Sequence, residues 1–390
     1  MVSGAPITVT ATSPGPPPLT LTQRGANLAS LIEQIVERQG DLAIFLGTDF
    51  TVTLDYLGAE EALFISVSSD GLRATLEIPE INFSQDFESL SPSGLNDQLQ
   101  TFLRRDGSAE LAAMRKEVNK RSPAGLTDGN PSSTTALIAR DVFAALGGAV
   151  DAGSENRHGF RVHVTGASFK SGNISGHRYG ARLDYHRVIS PHVGLSAFIP
   201  LSYTHIQGAR TYGIGGGLAL PISLSSRGFG LAGARETSLG GKWILAPFIA
   251  SSFRWSEDLG AGGAVVTYGL HTRFPVFHRE GWRVEILGQI SDFRGIPLKV
   301  DGYTLDSVVD QQLVKAGISV NRQLGDAFRA HLTVTGNQYW QSAAVSRWLS
   351  AETAIAWQMT PRSALQLSHA YHTGSRFTEH TGQLMLRFSF

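Results

Sequence analysis

The run Arg178-Tyr179-Gly180-Ala181-Arg182-Leu183-Asp184-Tyr185-His186 decides the fold. Tyr179, Ala181, Leu183 and Tyr185 fall on one side of an extended chain, and Arg178, Arg182, Asp184 and His186 on the other, because successive strand side chains point to opposite faces. The same period of two sets Phe160, Val162 and Val164 against Arg161, His163 and Thr165. It also sets Val193, Leu195, Ala197, Ile199, Leu201 and Tyr203 against Gly194, Ser196, Ser202 and Thr204. Twelve such runs cover about 158–170, 174–189, 193–206, 210–224, 242–256, 262–277, 281–293, 311–323, 327–338, 346–359, 363–374 and 379–390. The fifth is irregular, since Ile244 and Phe248 fall on the polar face.

Against a soluble sandwich stands which residues alternate. The polar face carries too many charges to bury unpaired; the other is apolar, with Tyr179, Tyr203, Trp282, Trp348, Trp357 and Phe388 near strand ends, as in interfacial girdles. Hydrocarbon outside and water inside a closed wall accommodates both. Twelve is even, as single-chain bacterial barrels require. Tight turns at Ser190-Pro191-His192, His278-Arg279-Glu280, Leu324-Gly325-Asp326 and Thr360-Pro361-Arg362 join even to odd strands, and longer links at 294–310 and 338–346 join odd to even. The long link 225–241 sits on the short-turn side and breaks the pattern.

Leu384, Leu386, Phe388 and Phe390 alternate to the last residue. This resembles the final strand of Gram-negative outer-membrane proteins, which in that family is read by the barrel-assembly machinery. The segment Glu236-Thr237-Ser238-Leu239-Gly240-Gly241-Lys242-Trp243 resembles the turn-into-strand segments of channel-type barrels. The resemblance implies a bacterial outer membrane, with its lipid and lipopolysaccharide as surroundings.

Composition agrees. With 390 residues the chain has room for more than one domain, and the absence of cysteine excludes disulfides and thiolate metal sites. No stretch of 18 apolar residues offers a helical span. The start, Met1-Val2-Ser3-Gly4, has no signal-peptide pattern, so an outer-membrane reading implies a leader already removed. Net neutrality hides an asymmetry: residues 1–156 hold 10 basic and 20 acidic side chains, the rest 23 and 13, with all 12 His and all 6 Trp. A boundary near Glu155 follows.

Upstream, residues 1–23 read as an extended, Pro-rich arm and 24–122 as an acidic α+β domain. Residues 123–157 read as a linker with a plug or rim helix, and 158–390 as the barrel. Ile7-Thr8-Val9-Thr10-Ala11 resembles the motif by which TonB-dependent receptors contact their energising partner. A 22-stranded barrel does not fit this length, so a β-prone arm is the simpler reading. Within the domain, a helix is expected at 24–39, strands at 42–56, 62–68 and 71–79, and helices at 94–104 and 108–120. A further helix at 134–147, capped by Thr134 or Thr135, would lie in the lumen or at the periplasmic rim. A helix followed by a twelve-stranded barrel ending in Phe is similar to autotransporter translocators.

The expected lumen wall holds Arg161, His163, Arg178, Arg182, Asp184, His186, His271, Arg273, Arg283, Glu285, Arg329, His331, Glu352 and Arg387. Together these make a positive field that favours anions, and the acidic N-terminal part offers a complementary cover. A pore or export conduit, gated or docked by a periplasmic N-terminal domain and serving a periplasmic or exported protein, is the first expectation. An autotransporter-like translocator displaying that domain is the second. A lipid-modifying hydrolase built on Ser368-His369 is the third, but no acidic residue is positioned to orient the histidine, so no catalytic residue is assigned. Among the scattered histidines only His369 and His372 are close, on opposite faces, so no metal site is expected. Nothing calls for a cofactor, and no basic cluster interleaved with aromatics calls for nucleic acid.

Overall fold

Twelve antiparallel strands form a wall with no free edge. The computed structural model describes residues 7–14, 19–25, 47–57, 59–103, 108–122, 126, 130–147, 158–224, 243–256, 258–259, 261–296, 298–300, 303–305, 309–341 and 343–390. The N-terminal part holds β1 (Ile7–Ser13), β2 (Leu19–Gly25), β3 (Phe50–Tyr56), β4 (Ala59–Val67), β5 (Arg73–Ile78) and β6 (Phe83–Glu88). Helices α1 (Pro92–Thr101), α2 (Ser108–Arg121) and α3 (Thr134–Gly147) follow. The wall then runs β7 (His158–Ser171), β8 (Ile174–Ser190), β9 (Val193–Ile206), β10 (Ala209–Ala219), β11 (Ile222–Leu224), β12 (Trp243–Ser256), β13 (Ala261–Arg279) and β14 (Trp282–Ile296). After a small hairpin, β15 (Leu298–Val300) and β16 (Tyr303–Leu305), it continues with β17 (Asp310–Leu324), β18 (Phe328–Tyr339), β19 (Arg347–Thr360), β20 (Ser363–Gly374) and β21 (Phe377–Ser389).

Strands β10 and β11 both pair with β9 and β12, so they are one barrel strand interrupted at Pro221, where a missing N–H leaves the ladder. The wall closes where β21 pairs with β7, from Phe377 opposite Ser171 to Ser389 opposite Gly159. Closure satisfies every strand edge, which is what hydrocarbon demands. No described helix is long and apolar enough to cross a membrane.

Val162, Ile199, Ile290, Ile318 and Leu367 stand exposed on the outer face. Phe160, Trp282, Phe328, Trp357 and Phe388 border this band near the barrel's own termini, where the Phe390 amide donates to the His158 carbonyl at 2.9 Å. Tyr179, Tyr203, Tyr212 and Trp255 border the other end. Trp348, expected in a girdle, is buried and points inward against Tyr339, ring centroids 5.4 Å apart. The band reaches the turns at the termini end. At the far end it stops short, and exposed Ser168, Lys170, His177, Thr378 and His380 continue past it.

The N-terminal sheet has the order β2-β1-β3-β4-β5-β6. Residues 7–13 and 19–25 are therefore not an arm: β1 lies between β2 and β3, and Ile7, Val9 and Ala11 are buried. Of the helix expected at 24–39, residues 24–25 end β2 and the rest lies outside the described residues. β6 was not anticipated. The sheet's core, with Tyr56, Leu76, Ile78, Met114 and Val118, runs without a break into Phe169, Ile174, Ile206, Ala209, Leu259, Val345 and Phe377 of the barrel. All seven sit at the far mouth, and the Tyr56 hydroxyl donates to the Leu259 carbonyl at 3.1 Å. Each fully buried Ile or Leu in this joint core contributes about 1.5–3 kcal/mol. The domain is thus packed onto the end of the barrel opposite its termini.

Candidate functional site

Helix α3 lies inside the lumen. Ile138, Ala139, Val142, Ala145 and Leu146 are buried against Phe198 of β9, Ala219 of β10 and Ala246, Phe248 and Ala250 of β12. This accounts for Phe248 in the irregular fifth run, which points inward because that stretch of wall faces a helix instead of water, and Ile244 is buried on the same side of the strand. Gly217 of β10 serves the same seat. A Cβ on Gly217 would come 2.4 Å from the Phe198 ring and 2.7 Å from the Ala250 Cβ. Gly217→Val is expected to destabilise the barrel by about 1–3 kcal/mol through overpacking, read as a lowered Tm in detergent.

The helix is also pinned along its length by polar contacts. At its start, Ser133 and not Thr134 or Thr135 is the cap, its Oγ 3.5 Å from the Ala136 amide. The Tyr339 hydroxyl lies 2.7 Å from Thr135 Oγ1 and 3.2 Å from Ser133 Oγ, and Arg254 donates to the Ser132 carbonyl at 2.9 Å. Midway, Gln289 donates to the Ala139 carbonyl at 3.0 Å. At its end, Arg161 donates to the Ala145 carbonyl at 2.6 Å, a cation at the negative pole of the helix. Tyr339 ends β18 at the far mouth and Arg161 begins β7 at the termini end, so α3 traverses the lumen from one to the other.

Three buried carboxylates hold the surrounding cations. Glu379 meets Arg140 of the helix at 2.6 Å and Arg178 of the wall at 2.8 Å. Asp184 meets Arg182 at 2.7 Å, His163 at 2.8 Å and Arg161 at 3.3 Å. Glu285 meets Arg273 at 2.5 Å and Arg283 at 2.8 Å. Arg182 also reaches Asp141 of the helix at 3.2 Å. Lys315 sits 4.2 Å over the Phe143 ring, and His271 packs edge-on against the same ring.

Beside the helix a cavity of about 490 Å³ remains, reaching His278, Gly281, Gln323 and Arg329 at the termini end. Its described lining includes ten arginines and Lys315 but only Asp141, Glu285 and Glu352 as acids. Of the fourteen expected lumen residues, Arg161, His163, Arg178, Arg182, Arg273, Arg283, Glu285, Arg329, His331, Glu352 and Arg387 line this cavity. Asp184 lies behind the arginines, His271 under Phe143, and His186 beside Ser196 with 3.4 Å between Nδ1 and Oγ. Sequence reading missed Glu379, Arg254, Lys315, Tyr339, Arg140 and Asp141. The inward period of β12, β17, β18 and β21 carries four of these, but only the helix's position shows why they matter.

At the far mouth, Asp258 accepts from Arg210 at 3.1 Å, and that hydrogen bond holds its carboxyl below the ordinary value. Ser368 and His369 do not form a catalytic pair. Ser368 is buried in the lumen wall, 3.4 Å from Gln383, while His369 is exposed on the opposite face. Leu384, Phe388 and Phe390 are exposed on the outer face at the closing seam. The segment 236–242 lies outside the described residues.

No protein-family model matches the sequence, and no curated protein does. Among solved structures, the translocator domain of autotransporter NalP from Neisseria meningitidis is similar at 13% identity and TM-score 0.48, over 66% of this chain and 96% of that one. The β domain of the Bordetella autotransporter BrkA is similar at 11% and 0.47, over 60% and 100%. An outer membrane channel from Pseudomonas putida F1 is similar at 11% and 0.44, over 60% and 96%. The closed, even-numbered wall and its apolar outer band make this chain an outer-membrane β-barrel protein.

Proposed function

We propose that this protein is a translocator-type barrel that holds its own N-terminal domain on the outer surface of the cell, with α3 as the seal in the lumen. The observation that carries this reading is the course of α3: the chain leaves a domain seated on the far mouth, passes down the lumen, and begins the wall at the termini end. In outer-membrane barrels short turns face the periplasm. Four of the five turns at the termini end are short, which supports a periplasmic termini end and an external domain. A periplasmic domain would require the barrel to be inverted. The cationic cavity then opens toward the periplasm and favours anions there, sealed from outside by the domain.

The absence of native cysteine makes the test direct. Leu90 is fully exposed on the domain, so Leu90→Cys is expected to react with a membrane-impermeant maleimide on intact cells. Labelling only after the outer membrane is permeabilised would place the domain in the periplasm and end this reading. A Cys at Asp326, in the β17–β18 turn, should show the opposite pattern.

A further inference from the structure

His369 of β20 and His380 of β21 stand exposed on the outer face of the wall. His380 lies directly across from Tyr371, so His369 is its diagonal neighbour. Nε2 of His369 is 3.4 Å from Nδ1 of His380. The rings are 5.6 Å apart, tilted by 32°, and the Tyr371 ring rests 4.8 Å from that of His380. A ring-to-ring hydrogen bond favours about 2.7–3.2 Å, and two protonated rings would repel. Two nitrogens bound to one tetrahedral ion at about 2.0–2.1 Å stand about 3.4 Å apart.

We propose that His369 and His380 form a two-imidazole site for a late first-row divalent cation, Cu²⁺ or Zn²⁺, on the outer wall of the barrel. The donor set selects the metal. Mg²⁺ and Ca²⁺ require oxygen ligands, whereas imidazole suits copper and zinc, copper more strongly. Among the described residues no cluster of three or more His, Asp or Glu is placed to hold a metal, so water completes the coordination. The ion ties β20 to β21, the strand that closes the barrel on β7. A folded state that binds the ion is stabilised by it.

The experiment uses full-length, tag-free, chelator-stripped protein in detergent, titrated with CuCl₂ and read by electron paramagnetic resonance. One equivalent with nitrogen hyperfine structure is expected, lost in His369→Ala and in His380→Ala and retained in His192→Ala, a turn histidine. Zinc should raise the Tm of the parent and of His192→Ala but not of the other two. No bound equivalent, or one that survives in both His369→Ala and His380→Ala, overturns the site.

Discussion

Glu379→Ala is expected to cost the folded protein about 3–5 kcal/mol, the loss incurred when one member of a buried ion pair is removed. Glu379 is fully buried and has Arg140 and Arg178 within 2.8 Å, so deletion leaves two cations facing each other without their anion. Serine and threonine hydroxyls close the same cluster: Thr381 donates to it at 2.9 Å and Ser132 at 3.5 Å. The loss should appear as a lower temperature for heat-induced unfolding on gels and by circular dichroism. It should also loosen the helix, since Arg140 is its contact with β21. Glu379→Gln, which keeps the shape and some acceptor capacity, should lose less. Arg140→Met and Arg178→Met combined with Glu379→Leu should recover part of the loss, because the two cations that faced the carboxylate leave with it. A Glu379→Ala protein as heat-resistant as the parent would show that the cluster contributes nothing.

How much of this was legible depends on how local each signal is. The wall was legible almost strand by strand, because a two-sided solvent imposes period two on every run and leaves little room for another register. Helix α3 was legible as a helix, but its place was not. The clue lay in apparent faults, Phe198 and Phe248 on the polar face and Gly217 in β10, which read as noise until a helix is set against them. The N-terminal sheet was the least legible part. β1 and β2 flank a Pro-rich stretch of sequence that reads as a linker, and their partner β3 lies beyond a long intervening segment. Only burial of Ile7 and Val9 under tertiary contacts distinguishes a central strand from a stray one. Pairing of carboxylates with cations was invisible for a similar reason, since Glu379 and Arg140 are far apart in the chain.

Deletion of residues 1–147 is expected to convert a closed barrel into a steady, anion-favouring channel in planar bilayers. Barrels of eight strands are filled by their own side chains, whereas those of sixteen or more enclose an aqueous channel. Twelve strands lie between, and here the extra room is taken by α3 and by the domain across the far mouth. Removing both exposes the inner surfaces of Arg161, Arg178, Arg182, Arg254 and Lys315 to water, while the deleted segment takes 18 acidic and 10 basic side chains with it, Asp141 and Arg140 among them. The field along the path becomes more positive, so the reversal potential in a salt gradient should shift toward that of chloride. Deleting only 1–125 separates the two seals. The helix keeps its apolar seat on β9 and β12, its Glu379 and Arg182 contacts and its Tyr339 anchor, so conductance should stay near the closed level. Full opening by this shorter deletion would make the domain the seal and the helix a passenger. A closed or cation-favouring barrel after the longer deletion would remove the lumen from consideration as a conduit.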